Sequence, residues 1–294
     1  MPVAKVGDIN IYYETRGKGE PLVLIYGYAG HSGLWFRQIP VLSKKYRVIA
    51  FDNRGVGRSD KPDVPYTMAI MAGDVAGLLD VIGVDAAHIF GISLGGMIAQ
   101  HFALNYPRRV LSLILGCTNC GGVHSIQPEP ESLAALFDYE RFKKMNPEEV
   151  VRQAMPFCYS QKFMKEHPDI VDRRVAKQLE YPTPRHGAAR QAEAVMGHDT
   201  YELLPGIKSP TLVIAGDNDR LIPVENSRML ASRIPKAKLV ILKGPGHEFF
   251  IEDAEDTNRL VLDFLDGTGR ARNYGSPGLR RRFPYHQRQY KGYP

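Results

Sequence analysis

The sequence has few of the features that mark chains held together by covalent or metal cross-links. It contains 3 cysteines among 294 residues, namely Cys117, Cys120 and Cys158. A count that is both low and odd argues against a disulfide framework. Hydrophobic residues make up 44% of the chain and charged residues 24%, as in an ordinary globular protein. A chain of this length can bury a large core without cross-links.

Two of the cysteines, Cys117 and Cys120, form a Cys-x-x-Cys motif. A redox function would need this motif at the start of a helix in a thioredoxin-like unit, and a zinc site would need a second pair of ligands. Neither context is evident, since the motif follows an apolar run at residues 111–115. We interpret both cysteines as small apolar residues at the end of a strand. The sequence predicts no metal site and no cofactor.

Long apolar segments are also absent. No stretch reaches the roughly 18 apolar residues that a transmembrane helix needs. Residues 1–8 lack the basic segment, followed by an apolar one, that begins a secretory signal. The sequence therefore predicts no transmembrane segment and a cytoplasmic location.

Acidic residues are missing from the last part of the chain. Residues 267–294 contain seven arginines and lysines and no Asp or Glu, so the overall net charge of +6 leaves residues 1–266 with a net charge of −1. A nearly neutral body predicts no nucleic-acid partner. The segment 267–294 has no helix or strand period. It is predicted to be a flexible basic tail, either a natural arm or an added sequence.

The chain does contain an alternation of short apolar runs and helical patterns. Most runs are continuously apolar, which is typical of parallel strands covered on both faces. This alternation predicts an α/β fold with a doubly wound, mostly parallel sheet. The predicted strands are residues 9–14, 22–26, 47–52, 88–92, 111–115, 211–215 and 238–242. The predicted helices outside the long interval described next are residues 67–82, 95–105, 224–234 and 254–265.

One interval departs from this alternation. Nearly a hundred residues separate the strand at 111–115 from the next one, and a structureless loop of that length would be unusual. The interval carries four helical patterns punctuated by proline, at residues 131–139, 147–158, 169–181 and 188–197. The sequence thus predicts a core made of residues 1–120 and 206–266, with an inserted helical cap at residues 121–205.

A candidate nucleophile stands between a predicted strand and a predicted helix. The pentapeptide Gly91-Ile92-Ser93-Leu94-Gly95 joins the strand at 88–92 to the helix at 95–105. Glycines on both sides of a serine permit a tight, strained turn that presents the hydroxyl at the top of a sheet. The plain alternative is a tight turn with a surface serine. The strand before the turn and the small residues after it favour Ser93 as a catalytic nucleophile.

A serine hydroxyl needs a base, and His247 is the histidine best placed to supply one. It follows the predicted strand at 238–242 after a Gly-Pro-Gly segment, and parallel sheets place their sites at this edge. Two acids, Asp217 and Asp219, follow the strand at 211–215. An acid directly after a strand often serves the turn. We therefore favour Asp219 as the acid that orients His247.

These three residues would carry out acyl transfer without a cofactor, with Ser93 as nucleophile and His247 as base. The oxyanion that develops during such a reaction needs preorganised hydrogen-bond donors. The predicted donors are the backbone N–H groups of Leu94, directly after the nucleophile, and of Tyr28. Tyr28 lies in the loop after the strand at 22–26, where glycines let the backbone approach a substrate.

Four motifs together resemble those of the α/β-hydrolase superfamily, over residues 1–266. They are Asp52-Asn53-Arg54-Gly55-Val56-Gly57-Arg58-Ser59-Asp60, the nucleophile turn from Gly91 to Met97, the acid loop from Gly216 to Pro223, and Gly246-His247. Within the superfamily the chain is similar to esterases, 3-oxoadipate enol-lactonase-like proteins and serine perhydrolases. The resemblance implies a hydrolase with the triad Ser93, Asp219 and His247, and a cap that shapes the pocket. One departure is Tyr26-Gly27, where the family has His-Gly.

Four residues are predicted to line the substrate pocket, namely Gly27, His31, Trp35 and Met97. Packing beneath the cap is an equal alternative for Trp35, and a place in the core is an equal one for Met97. Arg54 and Arg58 are interpreted as braces of their loop. The cap histidines are expected to be solvated, and they are His124, His186 and His198.

The predicted function is hydrolysis of a small-molecule carboxylic ester or lactone through an acyl-enzyme intermediate. Two alternatives use the same three residues, namely hydrolysis of a C–C bond and perhydrolysis. A third alternative belongs to another class, a non-catalytic ligand receptor on the same fold.

Overall fold

The computed structural model describes residues 2–273, and the side chains of residues 2–268. Within that part of the chain, eight strands form one sheet in the order β1-β2-β4-β3-β5-β6-β7-β8. Strands β1 and β2 pair antiparallel, as do β2 and β4, and the remaining neighbours are parallel. The strands are β1 Val3–Val6, β2 Ile9–Arg16, β3 Pro21–Ile25, β4 Arg47–Phe51, β5 Ala87–Ile92, β6 Val110–Gly116, β7 Thr211–Gly216 and β8 Ala237–Leu242.

Burial explains why the central strands are continuously apolar. Every residue of β5 and of β7 is buried, because helices cover both faces of the sheet. Alternate residues of β3 point to opposite sides, so Val23 and Ile25 join one hydrophobic core cluster and Leu24 joins the other. The mostly parallel α/β sheet predicted from the sequence is confirmed. The strand β1, a four-residue edge strand of alternating burial, was not predicted.

Helices of the α/β layers pack on the two faces of the sheet. The helices α2 and α3 contribute to one core cluster, while α11 and α12 contribute to the other. The bounds are α1 Ile39–Leu42, α2 Met68–Val81, α3 Leu94–Asn105, α10 Val224–Arg233, α11 Phe249–Glu252 and α12 Ala254–Asn273. In the described residues no helix is long and apolar enough to cross a membrane.

Six helices lie between β6 and β7, where the sequence predicts the cap. They are α4 Pro130–Phe137, α5 Tyr139–Phe142, α6 Pro147–Cys158, α7 Gln161–Glu166, α8 Pro168–Leu179 and α9 Arg185–Met196. The short helices α5 and α7 were not predicted. An isolated antiparallel bridge between Gly121 and Asp199 ties the segment that leaves β6 to the one that returns toward β7. The inserted helices therefore start and end at neighbouring points of the core.

The C-terminal helix is longer than the sequence pattern indicates. A helix end near residue 265 and a segment without helix from residue 267 were predicted, but α12 runs to Asn273. Gly267 interrupts the helical pattern in the sequence, yet a glycine inside a helix costs only about 1 kcal/mol relative to alanine. The prediction of an irregular segment is therefore wrong for residues 267–273. The rest of the predicted tail, 274–294, lies outside the described residues.

Candidate active site

Ser93 occupies the strained turn that its flanking glycines predict. It lies between β5 and α3 with φ of 52° and ψ of −124°, a conformation that costs a non-glycine residue about 1–3 kcal/mol. A Cβ added to Gly91 would lie 2.2 Å from the carbonyl oxygen of Gly95, and one added to Gly95 would lie 2.1 Å from that of Ile25. Both positions therefore need glycine. Thr118 Oγ1 donates to the Ser93 carbonyl at 2.8 Å and holds the turn.

His247 and Asp219 form the hydrogen-bonded pair expected from their places after β8 and β7. His247 Nδ1 lies 2.8 Å from Asp219 Oδ2. The other carboxylate oxygen, Oδ1, accepts from the backbone N–H groups of Leu221 at 2.9 Å and Ile222 at 2.8 Å. These two amides fix the plane of the carboxylate. The side chain of Asp219 therefore presents one oxygen to the imidazole and commits the other to the loop.

The competing acid, Asp217, serves the turn. Its carboxylate accepts from the backbone N–H of Gly244 at 2.7 Å and lies 3.0 Å from the ammonium of Lys243. Both contacts join the loop after β7 to the loop after β8. The structure thus brings Asp219, and not Asp217, to the imidazole of His247.

The environment of His247 makes its imidazole a better base than an isolated one. Burial by itself lowers the pKa of His247, but the adjacent Asp219 carboxylate outweighs burial, so the pKa is raised above its ordinary value. The carboxylate of Asp219 accepts a hydrogen bond at this nitrogen and so favours the tautomer with the proton on Nδ1. That tautomer leaves Nε2 free to accept a proton.

Ser93 and His247 line the same cavity. Within the described residues Ser93 Oγ makes no hydrogen bond. Catalytic hydrogen bonds in ligand-free enzymes are often long and tighten only when substrate binds. The structure therefore shows the His247–Asp219 half of the predicted triad as a direct contact, and the Ser93–His247 contact stays a prediction.

Two backbone N–H groups in the loops around the nucleophile have no acceptor among the described residues. Neither the amide of Tyr28 nor that of Leu94 donates a hydrogen bond to any described residue. Gly27 brings the loop after β3 against the nucleophile, because a Cβ added there would lie 3.0 Å from Ser93 Cβ. The two predicted oxyanion donors are thus available, and their role stays a prediction.

The cavity has a volume of about 350 Å³, within the usual range for small-molecule sites. The side chains that line it from α4, α5 and α6 are apolar except for Tyr139 and Cys158, and the apolar ones are Ala135, Leu136, Phe142, Pro147, Val150, Val151, Ala154 and Met155. Leu179, Pro182 and Ala188 add to this apolar wall. The inserted helices therefore form most of the hydrophobic part of the cavity.

Only one of the four predicted pocket residues lines this cavity. Gly27 does so. His31 is fully buried instead, with Nε2 2.9 Å from the Lys177 carbonyl oxygen and Nδ1 accepting from Gly33 N–H. Trp35 packs between aromatic rings beneath the cap, and Met97 belongs to the core on the α3 side of the sheet. Side-chain direction, which the sequence alone does not reveal, decided each case.

A buried ion pair beside His247 was not predicted. Arg174 on α8 donates from Nη2 to Glu248 Oε1 at 2.8 Å, and both side chains line the cavity. The hydroxyls of Tyr26 and Tyr159 also donate to Glu248. Burial would raise the pKa of Glu248, but the guanidinium of Arg174 and its hydrogen bonds hold that pKa below its usual value. The only sequence feature that could have indicated this ion pair is Tyr26, which stands where the family has His and here donates to Glu248.

The remaining candidates have structural partners. Arg54 forms a buried bidentate pair with Asp74, and Arg58 pairs with Asp52 at 3.2 Å, so both brace their loop as predicted. The expectation of a solvated side chain is wrong for His198. It is buried 3.3 Å from the His101 ring, and burial lowers its pKa to about 4.

The three cysteines form no disulfide, and no metal-binding cluster is found among the described residues. All three cysteines are free and buried, and Cys117 follows the last residue of β6, as the strand-end interpretation requires. In residues 2–273 no group of three or more His, Cys, Asp or Glu side chains is arranged to hold a metal ion.

Comparison with known proteins identifies relatives over most of the chain. The family model for the alpha/beta hydrolase fold matches residues 20–254. A putative carbamate hydrolase RutD from Azorhizobium caulinodans is 31% identical over 268 residues, which are 90% of this chain and 98% of that protein. A poly(3-hydroxyalkanoate) depolymerase from Ectopseudomonas oleovorans is 35% identical over 245 residues, covering 83% of this chain and 84% of the relative. The crystal structure of the enol-lactonase from Burkholderia xenovorans LB400 superposes with a TM-score of 0.80 at 28% identity, covering 90% of this chain and 100% of that one.

Proposed function

Because the chain belongs to the α/β-hydrolase fold family, we propose that it is a serine hydrolase that cleaves small carboxylic esters, lactones included, through an acyl-enzyme intermediate. One observation carries this proposal. Ser93 in its strained turn and His247, paired with Asp219, line one cavity, and the backbone N–H groups of Tyr28 and Leu94 have no acceptor among the described residues.

In the proposed reaction His247 Nε2 takes the proton of the Ser93 hydroxyl as Ser93 Oγ attacks the carbonyl carbon. The resulting imidazolium is stabilised by the Asp219 carboxylate, and then gives its proton to the leaving alkoxide. A water molecule, deprotonated by the same imidazole, attacks the acyl-enzyme and releases the acid. The N–H groups of Tyr28 and Leu94 would stabilise the oxyanion in both halves of the reaction.

The cavity favours neutral, apolar acyl groups. Its long wall from the inserted helices is hydrocarbon, and the guanidinium of Arg174 is already neutralised by Glu248. A substrate carboxylate in this inner region would have to displace Glu248 from Arg174 or remain beside an unneutralised carboxylate, and either is costly in a buried site. Arg185, the other lining arginine, is exposed. The relatives named as an enol-lactonase and a poly(3-hydroxyalkanoate) depolymerase agree with hydrolysis at an acyl carbon.

A panel of neutral nitrophenyl esters with acyl chains of two to ten carbons, together with lactones, tests the proposal. We expect wild-type turnover of at least one ester, and a loss of at least about a thousandfold in kcat for Ser93→Ala. Ser232→Ala, which removes an exposed hydroxyl bonded to Met229 O, is the matched control and should behave as wild type. Turnover of vinylogous diketones with no ester hydrolysis would favour the C–C hydrolase alternative. Failure of a fluorophosphonate probe to label folded protein would favour the receptor.

A further inference from the structure

The loop that carries the proposed oxyanion donor is held by side chains of the inserted helices. Ala29, directly after Tyr28, donates its backbone N–H to Gln191 Oε1 at 2.9 Å. Its carbonyl oxygen accepts from Gln178 Nε2 at 2.8 Å and from Thr183 Oγ1 at 2.7 Å. Both backbone polar groups of one loop residue are thus bound by residues of α8, α9 and the segment between them.

The backbone conformation held in this way is strained, so the loop needs these hydrogen bonds to keep it. Gly30 N–H donates to Gly27 O at 3.3 Å, so residues 27–30 form a turn with Ala29 at the third position. Ala29 has φ of 54°, as a type II turn requires, and type II turns place glycine or asparagine there. An alanine at positive φ is strained, because its Cβ crowds the backbone. The unstrained alternative is a type I turn, in which the peptide between Tyr28 and Ala29 is flipped.

The hydrogen bond from Ala29 to Gln191 selects between these two turns. The N–H of Ala29 belongs to the peptide that flips, so its acceptor holds that peptide in one orientation. Gln191 is itself fixed, because it is fully buried and its Nε2 donates to the Arg54 carbonyl at 3.0 Å. Tyr28 supplies the carbonyl of this peptide, so the bond from Ala29 to Gln191 also fixes where the Tyr28 backbone lies in the loop that Gly27 brings against the nucleophile.

We propose that Gln191, Gln178 and Thr183 are positioning residues through which the cap preorganises the oxyanion hole. This inference rests on the proposed function, since it assigns a purpose to the loop only if the Tyr28 N–H stabilises an oxyanion. None of the three side chains needs to touch the reacting atoms. Each acts through the conformation of Ala29.

The same helix also reaches the histidine loop. Gln178 Oε1 accepts from Arg174 Nη1 at 3.1 Å, and Arg174 donates to Glu248, the residue after His247. One face of α8 therefore contacts both the oxyanion loop and the loop of the base. Docking of the inserted helices would align donor and base together.

The variants that test this proposal replace the side chains that hold Ala29 and leave the nucleophile unchanged. Gln191→Met keeps the length of the side chain and removes the acceptor. We expect kcat for a neutral nitrophenyl ester to fall about ten- to a hundredfold, with KM within about threefold, because an oxyanion donor acts in the transition state. The affinity for a trifluoromethyl ketone, which forms a tetrahedral oxyanion on the serine, should fall by the same factor. Gln161→Met changes an exposed glutamine on α7 and is the matched control.

A rescue experiment separates positioning from general damage to the fold. Ala29→Gly removes the cost of positive φ, so adding it to Gln191→Met should restore at least about fivefold of the lost kcat. Thr183→Val, which removes the hydroxyl that donates to Ala29 O, should lower kcat. Thr183→Ser keeps the hydroxyl and should have a kcat close to that of the wild type. Unchanged kcat and unchanged ketone affinity in Gln191→Met, or loss of kcat that glycine at position 29 does not relieve, would overturn the inference. A wild-type protein without esterase activity would instead refute the proposed function.

Discussion

Replacing Asp219 by asparagine tests the geometry of the proposed base most sharply. In the folded protein Asp219 Oδ1 accepts two backbone N–H groups, and Oδ2 faces His247 Nδ1. An asparagine has only one oxygen, and the two amides require an acceptor. Its oxygen must therefore take the place of Oδ1, which leaves the NH₂ group facing the imidazole.

The consequence of Asp219→Asn is a wrong tautomer. An NH₂ group facing Nδ1 makes that nitrogen an acceptor, so the ring proton moves to Nε2, where the base must be free. The same change in a serine protease triad lowers kcat by about ten-thousandfold, and we expect a loss of similar size here. This corresponds to about 5 kcal/mol of transition-state stabilisation.

The pH profile supplies an independent check of the same variant. The base must be neutral, so kcat/KM of the wild type should fall as pH drops through the pKa of His247, which Asp219 raises. The asparagine variant lacks the carboxylate that raises this pKa. Its acid limb should therefore lie at lower pH than that of the wild type.

The assay is steady-state hydrolysis of a nitrophenyl ester across pH, with circular dichroism to confirm that the variants fold. Asp217→Asn is the matched control, since an amide oxygen can still accept from Gly244 N–H and the lost partner, Lys243, is 84% exposed. We expect its kcat to stay within about threefold of wild type. An Asp219→Asn enzyme that keeps a tenth of wild-type kcat would refute the assignment of Asp219. A loss of kcat in Asp217→Asn larger than that in Asp219→Asn would do so as well.

Three further predictions concern the residues around the nucleophile and the cap. Arg174→Met leaves the buried Glu248 without its cation and should lower the free energy of unfolding by about 3–5 kcal/mol in urea denaturation at neutral pH. Burial raises the pKa of Glu248 once Arg174 no longer lowers it, so the carboxyl of the variant becomes neutral as pH falls and the loss should shrink toward acid pH; a loss independent of pH would contradict the pairing. Gly27→Ala places a Cβ 3.0 Å from Ser93 Cβ and should reduce the rate of acylation in stopped-flow assays at least about tenfold, whereas wild-type acylation would show that the loop does not abut the nucleophile. A neutral hexanoyl ester should have a kcat/KM at least about tenfold above that of an adipoyl monoester of equal length, and the reverse preference would contradict the neutral cavity.

The elements that the sequence predicts well are those whose pattern depends on local chemistry. Strands β3 to β7 are buried on both faces, so their residues are continuously apolar and easy to recognise. The Ser93 turn is likewise visible, because close backbone approaches at Gly91 and Gly95 exclude any side chain there. The edge strand β1 has four residues of alternating burial and leaves almost no pattern.

The features that the sequence did not reveal depend on contacts between distant parts of the chain. Arg174 and Glu248 are 74 residues apart and meet only because the inserted helices dock beside the loop after β8. Trp35 and His31 were considered as pocket residues from their position after the oxyanion loop, but packing turns both inward. The hydrogen bonds that join Ala29 to Gln178 and Gln191 have the same origin, since no local pattern distinguishes these glutamines from solvated ones.

The most direct test of the central claim is identification of the residue that becomes covalently modified. The protein is incubated with a fluorophosphonate probe, and its intact mass and digested peptides are measured by mass spectrometry. We expect one adduct per chain, located on Ser93, slowed by an ester substrate present in excess and absent from Ser93→Ala. An active enzyme that carries the adduct on another residue, or that hydrolyses esters without labelling at Ser93, would contradict it.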